Sequence, residues 1–323
     1  MSDALRSCWR GTWLLVALLL IVGMTGGCRG REPTSPLSPL PSPTPGLEAF
    51  PLPLSGRVAF TSDALGNYDI YILDLAAGEA RPIVTSPERD VDPAWSPAGD
   101  RLTFASARDN PDGLDIFLVN ADGSDLTRLT TDPGFEVDPA WSPDGGSIAY
   151  HSNQSGDFEI YVYDLESGEA TNVTNSPGID YQADWSPDGR QIVFASQRTN
   201  RSEIWIMNRD GSNPRQVTDW PTSSQWQPRW SPDGRTILFV SDRDEAGGAI
   251  YAILAAGGDP VRLTPPGVAA TNPAWALGGE AILFSASAQG EESNDLWVMT
   301  LSDRTPTLLW PGVGNDSYPV WTP

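Results

Sequence analysis

The sequence predicts an all-β fold, a six-bladed β-propeller of four-stranded antiparallel blades closed by the C-terminal strand. The first observation is a motif, seen most plainly as Asp138-Pro-Ala-Trp-Ser-Pro-Asp-Gly145, whose tryptophan recurs six times at spacings of 44 to 46 residues. The second is that every period contains short runs in which apolar and polar residues alternate. Repeats of this length with this patterning are typical of propeller blades. The six tryptophans are Trp95, Trp141, Trp185, Trp230, Trp275 and Trp321.

One period holds four strands. After the first, which ends at Trp141 and Ser142, a Pro-Asp-Gly-Gly turn leads to alternating residues 147–152, and further runs follow at 159–163 and 170–174. Short β-branched and aromatic runs separated by Pro, Gly, Asp and Asn are typical of hairpin-linked antiparallel strands. The third strand carries an aromatic residue in every period, namely Tyr71, Phe117, Tyr161, Trp205, Tyr251 and Trp297.

The two ends of the repeat region are complementary fragments of one period, which is the third observation. Residues 57–61 match a second strand, and no Trp-Ser-Pro motif precedes them, whereas residues 318–321 match a first strand with nothing after it. We therefore expect a propeller domain over residues 55–323 in which the C-terminal segment supplies the innermost strand of the first blade. Such closure leaves no free sheet edge at the junction.

Residues 1–28 are predicted to be a signal peptide. Arg6 and Arg10 precede an apolar run over residues 13–24, which is short for a membrane span and suits the central region of a secretion signal. The small residues before Cys28 resemble the lipobox of bacterial lipoproteins, and this resemblance implies lipidation of Cys28. Simple signal cleavage and an uncleaved anchor are the alternatives. All three predict an exported protein of the cell envelope, on the periplasmic or the cell-surface side.

Residues 29–54 form a linker rich in proline and serine. Prolines at short intervals cannot form ladder hydrogen bonds and favour a semi-rigid polyproline-II segment. At about 3.1 Å per residue such a tether could reach roughly 70 Å from a membrane. A ligand for a proline-binding module is the other interpretation.

The charge pattern excludes some partners. The formal net charge is −22, and all 20 basic residues are arginines. Nucleic acids and anionic lipid surfaces favour basic patches, so neither is an expected partner. An acidic, solvated surface is the simple interpretation, and a surface that binds cations is the alternative.

The repeats resemble the WD-like repeats of TolB-type six-bladed propellers. The resemblance rests on the Pro-Ala-Trp-Ser-Pro-Asp-Gly motif, on Asp-Ile-Tyr71 and its counterparts, and on turns such as Asp122-Gly-Ser124 followed by Arg128-Leu-Thr130. It implies a propeller from Gly56 to the end of the chain and structural roles for these motifs. TolB itself has an additional N-terminal α/β domain where this chain has a tether, so its contact with a peptidoglycan-associated lipoprotein is not carried over.

No catalytic or metal-binding residue is predicted. A Ser-His-Asp triad needs a histidine, and the single histidine, His151, lies inside a predicted second strand. One histidine also argues against a His-rich zinc site. A pair of carboxylates acting on a glycoside stays formally open, although nothing singles out two of them.

Two groups of residues are candidate binding sites. The first is a ring three positions before each motif tryptophan, expected to converge in the central channel, where it could bind a calcium ion, a sugar or a peptide end, or simply order water. Its members are Asp92, Asp138, Gln182, Gln227, Asn272 and Tyr318. The second comprises tryptophans in the loops that enter first strands, which could anchor a protein interface. They are Trp220, Trp226 and Trp310.

The sequence as a whole predicts a monomeric, non-enzymatic module for protein binding or assembly at the bacterial cell envelope, held there by a lipid anchor. Its partners would be envelope proteins, met by the face on which the chain passes between blades, and no cofactor is expected. The alternatives are a small-ligand or carbohydrate binder at the channel mouth and a carboxylate-based hydrolase or lyase acting on envelope polymers.

Overall fold

A computed structural model describes residues 54–110, 112–287 and 293–323. In these residues 24 strands form six four-stranded antiparallel sheets, which confirms the predicted six-bladed propeller. The predicted signal peptide and nearly all of the linker lie outside the described residues. No helix among the described residues combines the length and the apolar character that crossing a membrane would need.

The strands follow one another blade by blade. Blade 1 contains β1 (Arg57–Ser62), β2 (Asp69–Asp74), β3 (Glu79–Val84) and β24 (Asp316–Thr322), and blade 2 contains β4 (Asp90–Trp95), β5 (Arg101–Ser106), β6 (Asp115–Asn120) and β7 (Thr127–Arg128). Blade 3 contains β8 (Glu136–Trp141), β9 (Ser147–Ser152), β10 (Glu159–Asp164) and β11 (Ala170–Asn172), and blade 4 contains β12 (Asp180–Trp185), β13 (Gln191–Ser196), β14 (Glu203–Asn208) and β15 (Arg215–Gln216). Blade 5 contains β16 (Gln225–Trp230), β17 (Thr236–Ser241), β18 (Ala249–Leu254) and β19 (Val261–Arg262), and blade 6 contains β20 (Ala270–Ala276), β21 (Ala281–Ala286), β22 (Asp295–Thr300) and β23 (Thr307–Trp310).

The Ser-Pro-Asp-Gly motif forms the turn between the first two strands of a blade. In blade 3 the Ser142 hydroxyl donates to Asp144 Oδ1 at 2.5 Å and accepts the Ser147 N–H at 2.9 Å. Gly145 has φ 71°, a left-handed conformation that glycine adopts without steric cost. The motif is therefore a turn that sets the register of the hairpin.

The core of each blade is centred on its second strand. One aromatic side chain per second strand is fully buried and packs against the third strand; in blade 2 the ring centroids of Phe104 and Phe117 lie 5.8 Å apart. Burying an aromatic side chain removes about 150–250 Å² from water, so each of these residues contributes strongly to core stability. The six are Phe60, Phe104, Tyr150, Phe194, Phe239 and Phe284.

The C-terminal strand closes the ring as predicted. β24 pairs antiparallel with β1, and Val58 lies opposite Trp321. The first blade therefore takes its inner strand from the end of the chain, and no covalent link joins this strand to β1. The Trp95 indole of blade 2 donates to the Val320 carbonyl at 3.1 Å and ties the closing strand to the next blade.

Candidate functional site in the central channel

The six ring residues predicted from the repeat share one unusual backbone conformation. Each has a left-handed φ between 51° and 57°. Each lies where the pairing of the inner strand with the second strand shifts register, for example between Val91 and Ala94 of β4. A β-bulge of this kind bends the strand and re-aims a side chain. The six residues are Asp92, Asp138, Gln182, Gln227, Asn272 and Tyr318.

The left-handed conformation costs about 1–2 kcal/mol for a residue with a side chain, and Asn and Asp tolerate it best. Three ring positions instead hold Gln182, Gln227 and Tyr318. Glycine would remove the strain at these positions but could not reach a neighbour. The side chains therefore contribute something that offsets the backbone cost.

Hydrogen bonds between blades supply that contribution. Gln182 Oε1 accepts the Gln227 N–H at 2.9 Å, and Gln227 Oε1 accepts the Asn272 N–H at 2.7 Å. The Asp92 carboxylate likewise accepts the Asp138 N–H. In each case a ring side chain of one blade binds the ring amide of the next.

Second strands provide the acceptor for two further ring amides. Thr61 Oγ1 accepts the Asp92 N–H at 3.2 Å, and His151 Nδ1 accepts the Gln182 N–H at 3.3 Å. The ring thus links neighbouring blades through buried polar contacts, and His151 takes part in it from within its strand.

Two carboxyl groups meet on one side of the channel. Burial, followed by the charge of Asp138, raises the pKa of Asp92 well above its usual value. Burial also raises the pKa of Asp138, opposed by the positive charge of Arg229. Two buried carboxylates that repel each other resist simultaneous ionisation, so the pair holds a proton to a higher pH than ordinary aspartates do.

His151 is neutral in this environment. Burial lowers the pKa of His151 to about 3. Since Nδ1 accepts a backbone N–H, the ring proton is on Nε2. Asp138 Oδ2 lies 3.6 Å from the same Nδ1, beyond hydrogen-bond distance. His151 acts as a hydrogen-bond acceptor in a buried network.

Sequence reasoning missed two charged residues of the channel, Arg229 and Asp184. Asp184 accepts the Trp230 N–H at 2.7 Å, and burial raises the pKa of Asp184 to about 6, opposed by Arg229. The position directly before the motif tryptophan is Ala or Val in the other four blades, namely Ala94, Ala140, Ala274 and Val320. Opposite charges at this position in adjacent blades were the signal available in the sequence.

The space inside the ring is small. A cavity of about 20 Å³ is lined by Asp92, Asp138, Asn272, Tyr318 and Arg229, together with neighbouring prolines. This is the space of about one water molecule. Sites for small organic ligands are typically about 300–1,000 Å³. Arg229 already offers these carboxyl groups a positive charge, which counts against the calcium ion considered for the channel.

The three tryptophans predicted to anchor an interface are buried or half-buried, at different places in the propeller. Trp310 is 1% exposed, so the expectation of an exposed anchor at this position is wrong. Trp220 is half-buried against Phe239 and Tyr251, with ring centroids at 5.8 and 5.1 Å. Trp226 is half-buried and packs between blades 5 and 6. Each of these side chains packs into a different apolar cluster between blades, so the three do not form one exposed patch.

A larger depression lies at the end of the propeller where the chain passes between blades. Its volume is about 290 Å³, and it lies between the loops that flank the start of blade 2 and the start of blade 3. Glu88 and Asp112 are exposed at its rim, and Arg89 and Phe135 are half-buried in it. Charged groups around an aromatic and proline-lined hollow suit a peptide or a protein loop.

Comparison with known families supports the repeat assignment. A family model described as the TolB beta propeller domain matches residues 52–176 and 157–323. The chain belongs to this family. No curated protein matches the sequence significantly.

Solved structures share the fold of this TolB-type propeller. TolB from Acinetobacter baumannii is 22% identical over 85% of this chain and 68% of its own, with a TM-score of 0.74. The putative TolB from Agrobacterium tumefaciens is 20% identical over 84% of this chain and 100% of its own, with a TM-score of 0.62. An oligogalacturonate lyase from Vibrio parahaemolyticus is 15% identical over 78% and 74%, with a TM-score of 0.56. Likeness at these identities shows the fold alone.

Proposed function

We propose that this TolB-type propeller is an exported, non-enzymatic module that binds a protein partner at the cell envelope. The binding face is the end of the propeller that carries the connections between blades. The observation that carries the proposal is the depression of about 290 Å³ at this end, bordered by Glu88, Arg89, Asp112 and Phe135. The rigid propeller presents these loops, and no covalent step is involved.

The narrow cavity in the channel supports recognition at the surface. Its cavity of about 20 Å³ leaves no room for a sugar or a peptide end. Three ring side chains, those of Gln182, Gln227 and Asp92, already accept the backbone N–H of the next blade's ring residue. Opening the channel would leave those buried amides unpaired, at about 1–3 kcal/mol each.

The same features count against an enzyme that uses Asp92 and Asp138. These two carboxyl groups have raised pKa values, as an acid catalyst requires. A catalytic pair must also contact its substrate, and the cavity that adjoins this pair among the described residues has the size of about one water molecule. The likeness to an oligogalacturonate lyase is a likeness of fold and carries no residue of that enzyme's site to this chain.

The position of the propeller in the envelope is part of the proposal. Residues 1–28 direct export, Cys28 carries the lipid, and residues 29–54 hold the propeller away from the membrane surface. A tethered domain searches for its partner within a limited volume, which raises the effective concentration of the binding face.

Affinity capture from envelope extracts with two charge-reversal variants tests the binding face. Glu88→Arg with Asp112→Arg changes the exposed rim of the depression. Glu166→Arg with Glu169→Arg makes the same change in charge on exposed residues of the turn after β10, at the opposite end. The proposal expects a discrete partner with wild type and with the control, and its loss with the rim variant. Retention by both variants, or no partner at all, would overturn it.

A further inference from the structure

In two blades, an arginine at the start of the loop after the second strand binds a carboxylate of the same blade. In blade 2, Arg108 Nη2 lies 2.8 Å from both carboxylate oxygens of Asp90, the first residue of β4. In blade 4, Arg198 Nη2 lies 2.7 Å from Asp180 Oδ2, and Asp180 is the first residue of β12. Both arginines are half-buried. The repeat itself therefore shows which chemical group an arginine at this position binds.

Each of these two guanidinium groups also lies over the aromatic pair of its blade. The guanidinium of Arg108 lies 5.5 and 5.2 Å from the ring centroids of Phe104 and Phe117. Arg198 lies 5.1 and 4.7 Å from the two rings of blade 4. Nε of each arginine donates to the serine hydroxyl two residues earlier, at 2.9 and 2.8 Å. The aromatic pair and the serine together hold the guanidinium beside the carboxylate.

Blade 5 has the arginine but lacks the carboxylate. Arg243 follows Ser241 by two residues, and its N–H donates to Ser241 Oγ at 3.2 Å, the distance that its two counterparts also have. The first residue of the inner strand β16 is Gln225, which is buried and whose side-chain N–H donates to Ser223 Oγ at 3.1 Å. A neutral amide cannot serve as a counter-ion. Arg243 therefore lacks the ligand that the arginines of blades 2 and 4 have.

A tryptophan lies against the aromatic pair of blade 5, where the guanidinium lies in the other two blades. The ring of Trp220 packs edge-on against Phe239 and Tyr251, with centroids 5.8 and 5.1 Å apart. Arg243 is exposed, and its Cζ lies 4.4 Å from the centroid of the Trp220 ring. A guanidinium is attracted to the face of an indole ring. Trp220 therefore places the guanidinium at the surface and restricts its orientation.

The three acidic residues beside Arg243 in the loop each accept a hydrogen bond from elsewhere in the chain. The pairs are Asp242 with the Ser224 N–H at 2.8 Å, Asp244 with the Tyr251 hydroxyl, and Glu245 with the Gly267 N–H at 3.1 Å. Among the residues that the structure describes, none forms a hydrogen bond or an ion pair with the Arg243 guanidinium. A guanidinium has five N–H donors in a fixed planar arrangement. These donors are available to a ligand from outside the chain.

Arg243 lies at the same end of the propeller as the depression of about 290 Å³. Its loop joins β17 to β18, and Asp112 at the depression belongs to the corresponding loop between β5 and β6. Trp220 belongs to the connection from blade 4 to blade 5, as Glu88 belongs to that from blade 1 to blade 2. A protein that covers this end of the propeller therefore meets both places.

We propose that Arg243, stacked on Trp220, binds a carboxylate group of the protein partner, either an acidic side chain or the end of the chain. This inference rests on the proposed function, because it names the chemistry by which the same face recognises its partner. Guanidinium groups bind carboxylates through two parallel N–H bonds, and Arg and Trp are prominent among the residues that dominate binding energy at interfaces. A guanidinium already held by an indole loses less freedom on binding.

The acidic surroundings restrict which carboxylate binds there. The chain has a net charge of −22, and the exposed residues Asp242 and Asp244 flank Arg243. These charges repel a partner with many acidic residues at the contact. The ligand is therefore a single carboxylate on a partner whose remaining contact surface is neutral or basic.

A chain without lysine allows a test with a single lysine side chain. Arg243→Lys introduces that lysine at the proposed site. Arg235→Lys, the control, introduces it at an exposed position between β16 and β17, at the opposite end. The full-length variants are mixed with envelope extract and treated with a carbodiimide, which joins an amine to a contacting carboxylate as an amide with loss of water. Mass spectrometry then identifies the linked peptides.

The proposal expects an amide bond from the lysine of Arg243→Lys to one carboxylate of a discrete partner protein, and none from the lysine of Arg235→Lys. An amide bond only to acidic residues of its own loop would show that this position pairs within the chain, and would overturn the proposal. A partner whose capture depends on the rim of the depression, with no amide bond to this lysine, would also overturn it and would leave the proposed binding face standing. Absence of any partner of the wild-type protein would overturn both.

Affinity for the partner so identified gives the second readout. Arg243→Glu is expected to weaken binding by about tenfold or more, because a repulsive carboxylate replaces the guanidinium. Arg235→Glu makes the same change in charge at the opposite end and is expected to leave the affinity unchanged. Both positions are exposed, so both variants should keep the wild-type melting temperature. Equal affinities of the two variants would overturn the proposal.

Discussion

Gln227 links three blades through a single side chain and its own backbone. Its N–H is bound by Gln182, and its side-chain oxygen binds the Asn272 N–H. The place of this residue in the ring could be predicted because the repeat fixes its distance from the tryptophan. Its left-handed conformation could not, since Gln has no strong preference for it and only the bulge imposes it.

Gln227→Ala should destabilise the propeller by about 1–3 kcal/mol, because the buried Asn272 N–H would lose its acceptor. Thermal unfolding checks this, with Thr222→Ala on the exposed surface as the control. Equal melting temperatures for both variants and wild type would contradict a stabilising role for the ring.

We expect Asp316, in the closing strand β24, to make the stability of the propeller depend on pH. Burial raises the pKa of Asp316 to about 7, opposed by Ser62 and reinforced by the charges of Asp295 and Asp63. The folded state therefore holds this proton more tightly than the unfolded state does. The stabilisation from this group is fully present below about pH 4 and is lost as the pH rises through 7.

Wild-type stability should accordingly fall between pH 5 and pH 8, and Asp316→Asn should reduce that fall by about 1–3 kcal/mol. Asp259→Asn, at an exposed position, serves as the control and should leave the pH dependence unchanged. Melting curves at several pH values measure the effect. A pH dependence in Asp316→Asn equal to that of wild type would refute the assignment.

At the scale of elements, strand order and closure could be read from the sequence because each strand carries its own marker in the repeat. Tryptophan environments were harder to predict, since a loop tryptophan and a core tryptophan have the same local sequence pattern. Trp310 illustrates this, because it ends β23 and lies in the apolar cluster between blades 6 and 1. The interaction of Arg229 with Asp184 was also hard to predict, because folding of the ring is what brings these two residues of different blades together.

Removal of residues 317–323 should prevent stable folding. The deletion leaves β1 with an unpaired edge and exposes the apolar side chains that β24 covers. Solubility and thermal unfolding of the truncated chain measure the result. Deletion of seven residues from the proline-rich segment, 34–40, is the matched control and should leave the melting temperature unchanged. A soluble truncated chain with the wild-type transition would contradict non-covalent closure.

At the scale of the whole molecule, the sequence predicts export to the cell envelope. Folding of the propeller should not depend on the export signal or on the lipid. If Cys28 is lipidated, Cys28→Ala should abolish incorporation of labelled fatty acid and move the protein from the membrane fraction to the soluble fraction. The propeller should still fold, because its cores lie after residue 54. Fatty-acid labelling of the Cys28→Ala variant would refute lipidation at this residue.

The net negative charge is also a property of the whole molecule, and it affects which partners the protein binds. A net charge of −22 opposes self-association of the chain and favours partners with a basic surface. Binding that depends on this charge should weaken as salt rises, because salt screens exposed charges over about 10 Å at 0.1 M. The identity of the partner could not be predicted, since the repeat motifs are occupied with turns and with packing between blades.

Site-specific photo-cross-linking in cells tests the central claim most directly. A photoreactive residue is placed at Glu88 or Asp112 on the proposed binding face, or at Glu166 or Glu169 on the opposite end. A binding module that uses the face between blades should give a discrete protein adduct from the first pair and none from the second. Adducts from the second pair alone, or from neither pair in a folded and exported protein, would contradict it.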